Sequence, residues 1–103
     1  MFGLVVRFTL KDPESAGGFD ELVGQTISKI RDNEPATLVY AVHQVEGQPL
    51  QRIFYELYRD RAAFDFHEEQ PYIKRFLAQR EDYLSSTVVD FLNLQSVKGV
   101  EGE

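Results

Sequence analysis

The chain contains two histidines and five tyrosines, residue types that are suited to proton-transfer chemistry. His67 follows Ala63 and Phe64 by one helical turn, a spacing that puts all three on one side of a helix. Because an unperturbed imidazole titrates near neutral pH, His67 is our candidate for a catalytic base. Tyr58 and Tyr72 flank it in sequence and offer hydroxyl groups to a bound oxygen. The alternative for His67 is a structural role, as a helix-end histidine bonded to a backbone carbonyl.

Three further polar residues have both a structural and a functional interpretation. Glu56 precedes Tyr58 by two residues and therefore shares its strand face, as a pocket acid or as a buried carboxylate held by the backbone or by an arginine. We favour His43 as a hydrogen-bonded structural residue over a site residue, and Arg7 as the partner of Glu56, Asp90 or a partner-chain carboxylate over a substrate ligand. Neither is therefore assigned to a site.

Metal ions, phosphate groups and nucleic acids are all disfavoured as ligands. Asp65, Glu68 and Glu69 surround His67, but none of them lies three or four residues from it, the spacing that helical ligands need, so we expect a solvated acidic face and no metal. The glycine pair at 17–18 lacks the pattern of a phosphate-binding loop. Eleven basic against seventeen acidic residues give a net charge of −6, which argues against nucleic acid.

Length and composition indicate one folded domain. The 103 residues are 43% hydrophobic and include thirteen aromatic side chains, eight Phe and five Tyr, which predicts a large core or a lined cavity. The absence of cysteine excludes thiolate metal sites and disulfides, and we expect a cytoplasmic protein. The apolar run Leu4–Val6 is too short to span a membrane, so no membrane partner is expected.

Hydrophobic periodicity and turn signals set the predicted elements. Strands are predicted at 2–10, 37–45, 50–58 and 87–97, and helices from Pro13 to before Pro35, at about 60–68 and at about 71–83. The order β-α-β-β-α-β is that of a ferredoxin-like α+β domain with an antiparallel sheet and its helices on one face. The domain is expected to cover residues 1–97 and to be followed by a C-terminal tail, 98–103.

Neither face of this sheet is predicted to be polar. We assign one set of apolar strand residues to the face opposite the helices: Val39, Val45, Ile53, Leu57, Val89 and Phe91. So large an apolar surface is unusual for a monomer. We therefore expect a homodimer in which two copies pack sheet to sheet.

A sequence motif extends from Glu34 to Phe76. Glu34-Pro35 leads into the strand pattern Leu38-x-Tyr40-x-Val42, followed by Phe54-x-Glu56-x-Tyr58-Arg59-Asp60-x-x-Ala63-Phe64-x-x-His67 and by Pro71-Tyr72-Ile73-x-x-Phe76. This motif resembles the antibiotic biosynthesis monooxygenase superfamily. The resemblance implies a dimeric α+β barrel with a pocket between sheet and helices. It also implies that this pocket's substrate-binding residues include Phe54, Glu56, Phe64, Tyr72 and Phe76.

The branches of this superfamily can be compared at single positions. The haem-degrading branch needs an axial histidine where this chain has Leu77, which cannot bind iron. The aromatic-polyketide oxygenase branch is similar at Tyr58, but Phe54 and Phe64 stand where that branch has polar side chains. The remaining match, which includes His67, is to quinol-monooxygenase-like and autoinducer-processing-like members.

The resemblance therefore predicts a cofactor-independent monooxygenase that acts on a small aromatic quinol or a polyketide-like phenol. In this prediction His67 is the base, Tyr58 and Tyr72 position the substrate oxygens, and no cofactor is needed. The homodimer's ligand is a small aromatic or apolar metabolite. Two alternatives stay open: a non-catalytic small-molecule-binding or stress-response protein of the same fold, and an isomerase that works by proton transfer alone.

Overall fold

The computed structural model describes residues 1–99, and the predicted tail at 98–103 lies outside them from residue 100 onward. The elements are β1 (Phe2–Leu10), α1 (Pro13–Asn33), β2 (Thr37–Val45), β3 (Gln48–Tyr58), α2 (Arg61–Glu68), α3 (Pro71–Gln79), a 3-10 turn (Arg80–Asp82) and β4 (Leu84–Asn93). This order confirms the predicted α+β, ferredoxin-like plan. Among the described residues, no helix is long and apolar enough to cross a membrane.

The four strands form one antiparallel sheet in the order β2-β3-β1-β4. The hairpin between β2 and β3 turns through Glu46 and Gly47, and Gly47 has a φ of +77° that favours glycine. Buried side chains of β1, at Leu4, Val6 and Phe8, face the helices and begin the core. The sheet is thus closed on one side by the helices.

The end of the chain differs from the predicted boundaries. The predicted helix at 71–83 ends at Gln79, and β4 covers Leu84–Asn93 rather than 87–97. The strand starts early because Leu10 pairs with Leu84 across a bulge. It ends at Asn93 because its partner there is Phe2, at the start of β1.

The predicted faces of β4 were wrong. Val89 pairs with Val6 and Phe91 pairs with Leu4, so both lie on the helix side of the sheet. The outward residues are Val88 and Leu92. A strand's alternation defines two sets of residues but not which set faces inward, and a shift of one residue exchanges them.

β4 is poorly covered on both faces. Val88 on the outer face is 55% exposed and Phe91 on the helix side is 59% exposed. Val89 and Leu92 are also partly open to solvent. The helices therefore cover β1 and β3 well and leave an apolar strand at the edge of the sheet.

Phe19 attaches α1 to the sheet, because its fully buried ring lies 5.2 Å from that of Phe8 and 5.9 Å from that of Phe54. We expect Phe19→Ala to lower the free energy of unfolding by about 3–5 kcal/mol, the range for deleting a buried aromatic ring. The control is Phe66→Ala, since that ring is 49% exposed and its loss costs less than about 1 kcal/mol. Urea unfolding followed by circular dichroism measures both, and equal losses would contradict this account.

Candidate active site at the Glu34–His67 pair

Glu34 lies at the C-terminal end of α1, where the chain turns into β2. The following residue, Pro35, disfavours the helical conformation at Glu34, whose φ of −128° and ψ of 76° end the helix. The turn is closed by a hydrogen bond from the Thr37 amide to the Glu34 carbonyl, at 3.1 Å. The carboxylate thereby points inward, and only 1% of the side chain is exposed.

Three side chains donate hydrogen bonds to this carboxylate. Nδ1 of His67 and the Thr37 hydroxyl both lie 2.7 Å from Oε1, and the Tyr72 hydroxyl lies 2.5 Å from Oε2. Burial alone raises the pKa of Glu34, but the hydrogen bonds from His67, Tyr72 and Thr37 together outweigh it and lower the pKa. Glu34 is therefore a stable carboxylate at neutral pH.

The charge of Glu34 determines the tautomer of His67. A carboxylate can only accept hydrogen bonds, so Nδ1 of His67 carries a proton and donates a hydrogen bond to Oε1 of Glu34. In the neutral ring Nε2 is then the basic nitrogen. Aromatic rings surround the imidazole, with centroids 5.6 Å away for Tyr40 and 5.3 Å away for Tyr58.

His67 borders a cavity of about 130 Å³ between the sheet and the helices. Most of the wall is apolar, and its charged or titratable members are Tyr40, Glu56, His67, Glu68 and Arg80. The exposed side chains of Val89 and Phe91 line the open side. The cavity thus brings a basic nitrogen and a few charges into a largely aromatic enclosure.

Five of the seven residues singled out from the sequence line this cavity: Phe54, Glu56, Phe64, His67 and Phe76. Tyr58 and Tyr72 are not among its lining residues. Tyr72 lies on the far side of Glu34, beside a surface depression with Lys29 and Arg75. Tyr58 is fully buried next to His67.

Glu56 and Tyr58 form a second buried pair. The Tyr58 hydroxyl donates to Oε1 of Glu56 at 2.6 Å. Burial raises the pKa of Glu56 despite this hydrogen bond, and burial followed by the nearby Glu56 charge raises the pKa of Tyr58. Tyr58 therefore keeps its proton and holds the Glu56 carboxyl at the cavity wall.

Sequence reasoning missed three residues of this site. Glu34 was noted within the motif but given no role, although it is the direct partner of His67. Tyr40 and Arg80 also line the cavity. The one available signal for Glu34 was a glutamate directly before a helix-ending proline, and that signal does not identify a partner 33 residues away.

Fold and cavity together define a class of protein: a ferredoxin-like α+β domain with an internal cavity and a carboxylate–imidazole pair on its wall. The family model for antibiotic biosynthesis monooxygenases matches residues 1–79. The chain belongs to this family.

Individual relatives are more distant. A candidate antibiotic biosynthesis monooxygenase from Caulobacter crescentus is 23% identical, with a TM-score of 0.85 over 92% of this chain and 90% of that one. A protein from Mycobacterium tuberculosis is 21% identical, with a TM-score of 0.85 over 95% and 98% of the two chains. At these identities the likeness shows the shared fold.

A similarity in sequence is found with an uncharacterized protein of Synechocystis sp., which is 30% identical over 63 residues. That match covers 61% of this chain and 43% of the relative, so the chain spans less than half the length of the relative it matches.

Removal of the Tyr72 hydroxyl tests the hydrogen bonds around Glu34. We expect Tyr72→Phe to raise the pKa of Glu34, because the carboxylate loses one of its three donors while burial is unchanged. A carbon-13 NMR titration of the Glu34 carboxyl measures this, with Tyr83→Phe as the control. An unchanged Glu34 titration in Tyr72→Phe would contradict the assignment.

The lowered pKa of Glu34 also makes the stability of the folded protein depend on pH. Because Glu34 holds its proton less tightly when folded, its contribution to stability is complete above the ordinary glutamate pKa of 4.5. It is lost as pH falls through the lower folded pKa. Tyr72→Phe should therefore reduce the acid-dependent loss of stability over that interval.

Proposed function

We propose that this protein is a cofactor-independent monooxygenase of a small aromatic quinol or phenol. The observation that carries the proposal is the buried Glu34–His67 pair at the wall of an aromatic cavity. Family membership supports the same reaction class. Glu34 fixes the protonated Nδ1, so Nε2 of His67 is the base.

The cavity volume favours a single aromatic ring as the substrate. A dry apolar cavity of roughly 150 Å³ in another protein holds one benzene molecule, and the cavity here is about 130 Å³. Substituents can extend toward the open side at Val89 and Phe91. A hydroquinone therefore fits better than a fused polyketide ring system.

The proposed reaction starts with proton transfer from a substrate hydroxyl to Nε2 of His67. The charge that develops on the imidazole is stabilised by the carboxylate of Glu34. The electron-rich quinolate then reduces dioxygen, and a bond forms between a ring carbon and one oxygen atom. His67 returns its proton to the peroxide, which gives a ring hydroperoxide. Its O–O bond then breaks as the ring C–H proton leaves and water departs, so one quinol and one dioxygen give one hydroxyquinone and one water.

The two tyrosines have positioning roles in this proposal. Tyr72 acts through Glu34 and Tyr58 acts through Glu56, because the hydroxyl of each tyrosine donates a hydrogen bond to a buried carboxyl group. The sequence predicted that Tyr58 and Tyr72 position the substrate oxygens directly, but neither is among the residues that line the cavity. Phe54, Phe64 and Phe76 serve as apolar walls.

We also propose a homodimer in which a second copy covers β4. Val88 and Phe91 lie on opposite faces of this strand and are both more than half exposed, which is unusual for large apolar residues of one strand. Leu94 and Val97 extend the apolar surface beyond the sheet. A partner seated there would also close the open side of the cavity.

Oxygen consumption with a panel of hydroquinones tests the activity. We expect His67→Ala to lower the rate by about 10²–10⁴-fold, the usual contribution of a general base. His43→Ala is a matched control, because His43 is the second histidine and lies on the exposed outer face bonded to the Ile53 carbonyl.

Equal rates in the two histidine variants would remove His67 from the mechanism. Ligand binding without oxygen uptake by the native protein would favour the binding-protein alternative. Proton exchange or isomerisation of a ligand without oxygen uptake would favour the isomerase.

Analytical ultracentrifugation tests the dimer. We expect Val88→Arg to shift the protein from dimer to monomer, because it buries a charge in an apolar contact. Gln25→Arg adds the same charge on the exposed side of α1 and should leave the dimer intact. A native protein that sediments as a monomer at micromolar concentration would overturn the proposal.

A further inference from the structure

Arg80 is the cationic member of the cavity wall and has no role in the reaction described above. It follows α3 as the first residue of the 3-10 turn. Its guanidinium lies over two cavity rings, 5.4 Å from the centroid of Phe8 and 5.8 Å from that of Phe76. Stacking on aromatic faces holds the side chain toward the ligand space.

One donor of this guanidinium is unused. Nε of Arg80 is buried, and no hydrogen-bond partner for it is found within residues 1–99. Its nearest carboxylate in that range is Oε2 of the exposed Glu81, at 3.7 Å, which is beyond hydrogen-bond distance. A buried donor without a partner costs stability, and a small movement of the Arg80 side chain that brings Nε to a ligand oxygen would remove that cost.

The base and the cation have different neighbours in the cavity. His67 packs against Tyr40, Tyr58 and Phe64, whereas Arg80 packs against Phe8 and Phe76. The ring of Phe54 connects the two groups, since its centroid is 5.8 Å from Tyr40 and 4.7 Å from Phe8. A flat ring along this wall would present one edge to His67 and another to Arg80.

We propose that Arg80 selects a single-ring phenol that carries a carboxylate, with the phenolic hydroxyl at His67 and the carboxylate on the guanidinium. This inference rests on the proposed function and names its substrate class. Arginine matches a carboxylate in geometry and in charge, and such hydrogen bonds are roughly twice as strong as neutral ones. A neutral quinol would leave the Nε donor poorly satisfied.

The two glutamates of the cavity wall, Glu56 and Glu68, disfavour an anionic ligand, but neither is paired with Arg80 within residues 1–99. Glu56 accepts from Tyr58 instead, and no ion pair joins Glu68 to Arg80 in the described part of the chain. Their negative charge weakens the binding of any anion at this site. Arg80 must therefore account for any preference for a carboxylate.

A matched ligand pair tests the proposal without turnover. Binding of 2,5-dihydroxybenzoate, 2,5-dihydroxybenzamide and hydroquinone is measured by calorimetry under nitrogen. We expect the native protein to bind the acid on the order of tenfold or more tighter than the amide. Arg80→Met should abolish this difference and leave hydroquinone affinity within about twofold, since charge-assisted bonds are lost and apolar contacts are kept. Arg75→Met, an exposed arginine of α3, should preserve the difference.

The outcomes separate this inference from the proposed function. If hydroquinone binds but acid and amide bind equally, the role of Arg80 is wrong and the quinol site stands. If none of the three ligands binds, both proposals fail. A preference for the acid that survives in Arg80→Met would also overturn the inference. In the native protein the NMR signal of the Arg80 Nε–H should shift with the acid and not with the amide. This measurement uses only the native protein, so it does not depend on whether a variant folds.

Discussion

The Glu34 carboxylate accepts hydrogen bonds from Thr37 at the start of β2, from His67 near the end of α2 and from Tyr72 at the start of α3. Together with α1, which Glu34 ends, four elements meet at this one group. A buried carboxylate is tolerated only when its oxygens are satisfied, so these elements must keep their relative positions. The orientation of the imidazole beside the cavity follows from that requirement.

The rest of the site combines many aromatic side chains with a few charged ones. Phenylalanine rings from the sheet and from α3 enclose the cavity. Glu56 and Arg80 lie in the same wall, where little water surrounds them. Interactions between charges are strong in such surroundings, because screening by solvent is weak. A few polar atoms can therefore control which ligand binds and where its protons reside.

Periodicity and turn chemistry were sufficient to predict the element order, since Pro13, Pro35 and Pro71 lie at or beside the boundaries of helices. Helical spacing also placed Phe64 and His67 on one buried side of α2. The face of Val89 and Phe91 was not predictable, because it depends on the register with β1. The partner of His67 was equally hidden: Glu34 reaches it only through the tertiary fold, 33 residues apart in sequence.

The connections into β2 and into β3 differ in how freely their length can vary. The segment from Glu34 to Thr37 supplies two members of the central hydrogen-bond cluster, so an inserted residue there would pull the carboxylate away from the imidazole. At the hairpin tip, Gly47 has open space around it, with no heavy atom within 4 Å of a would-be Cβ. Evolutionary insertions, or an engineered peptide tag, belong at that tip, where the added chain would leave the cavity chemistry intact.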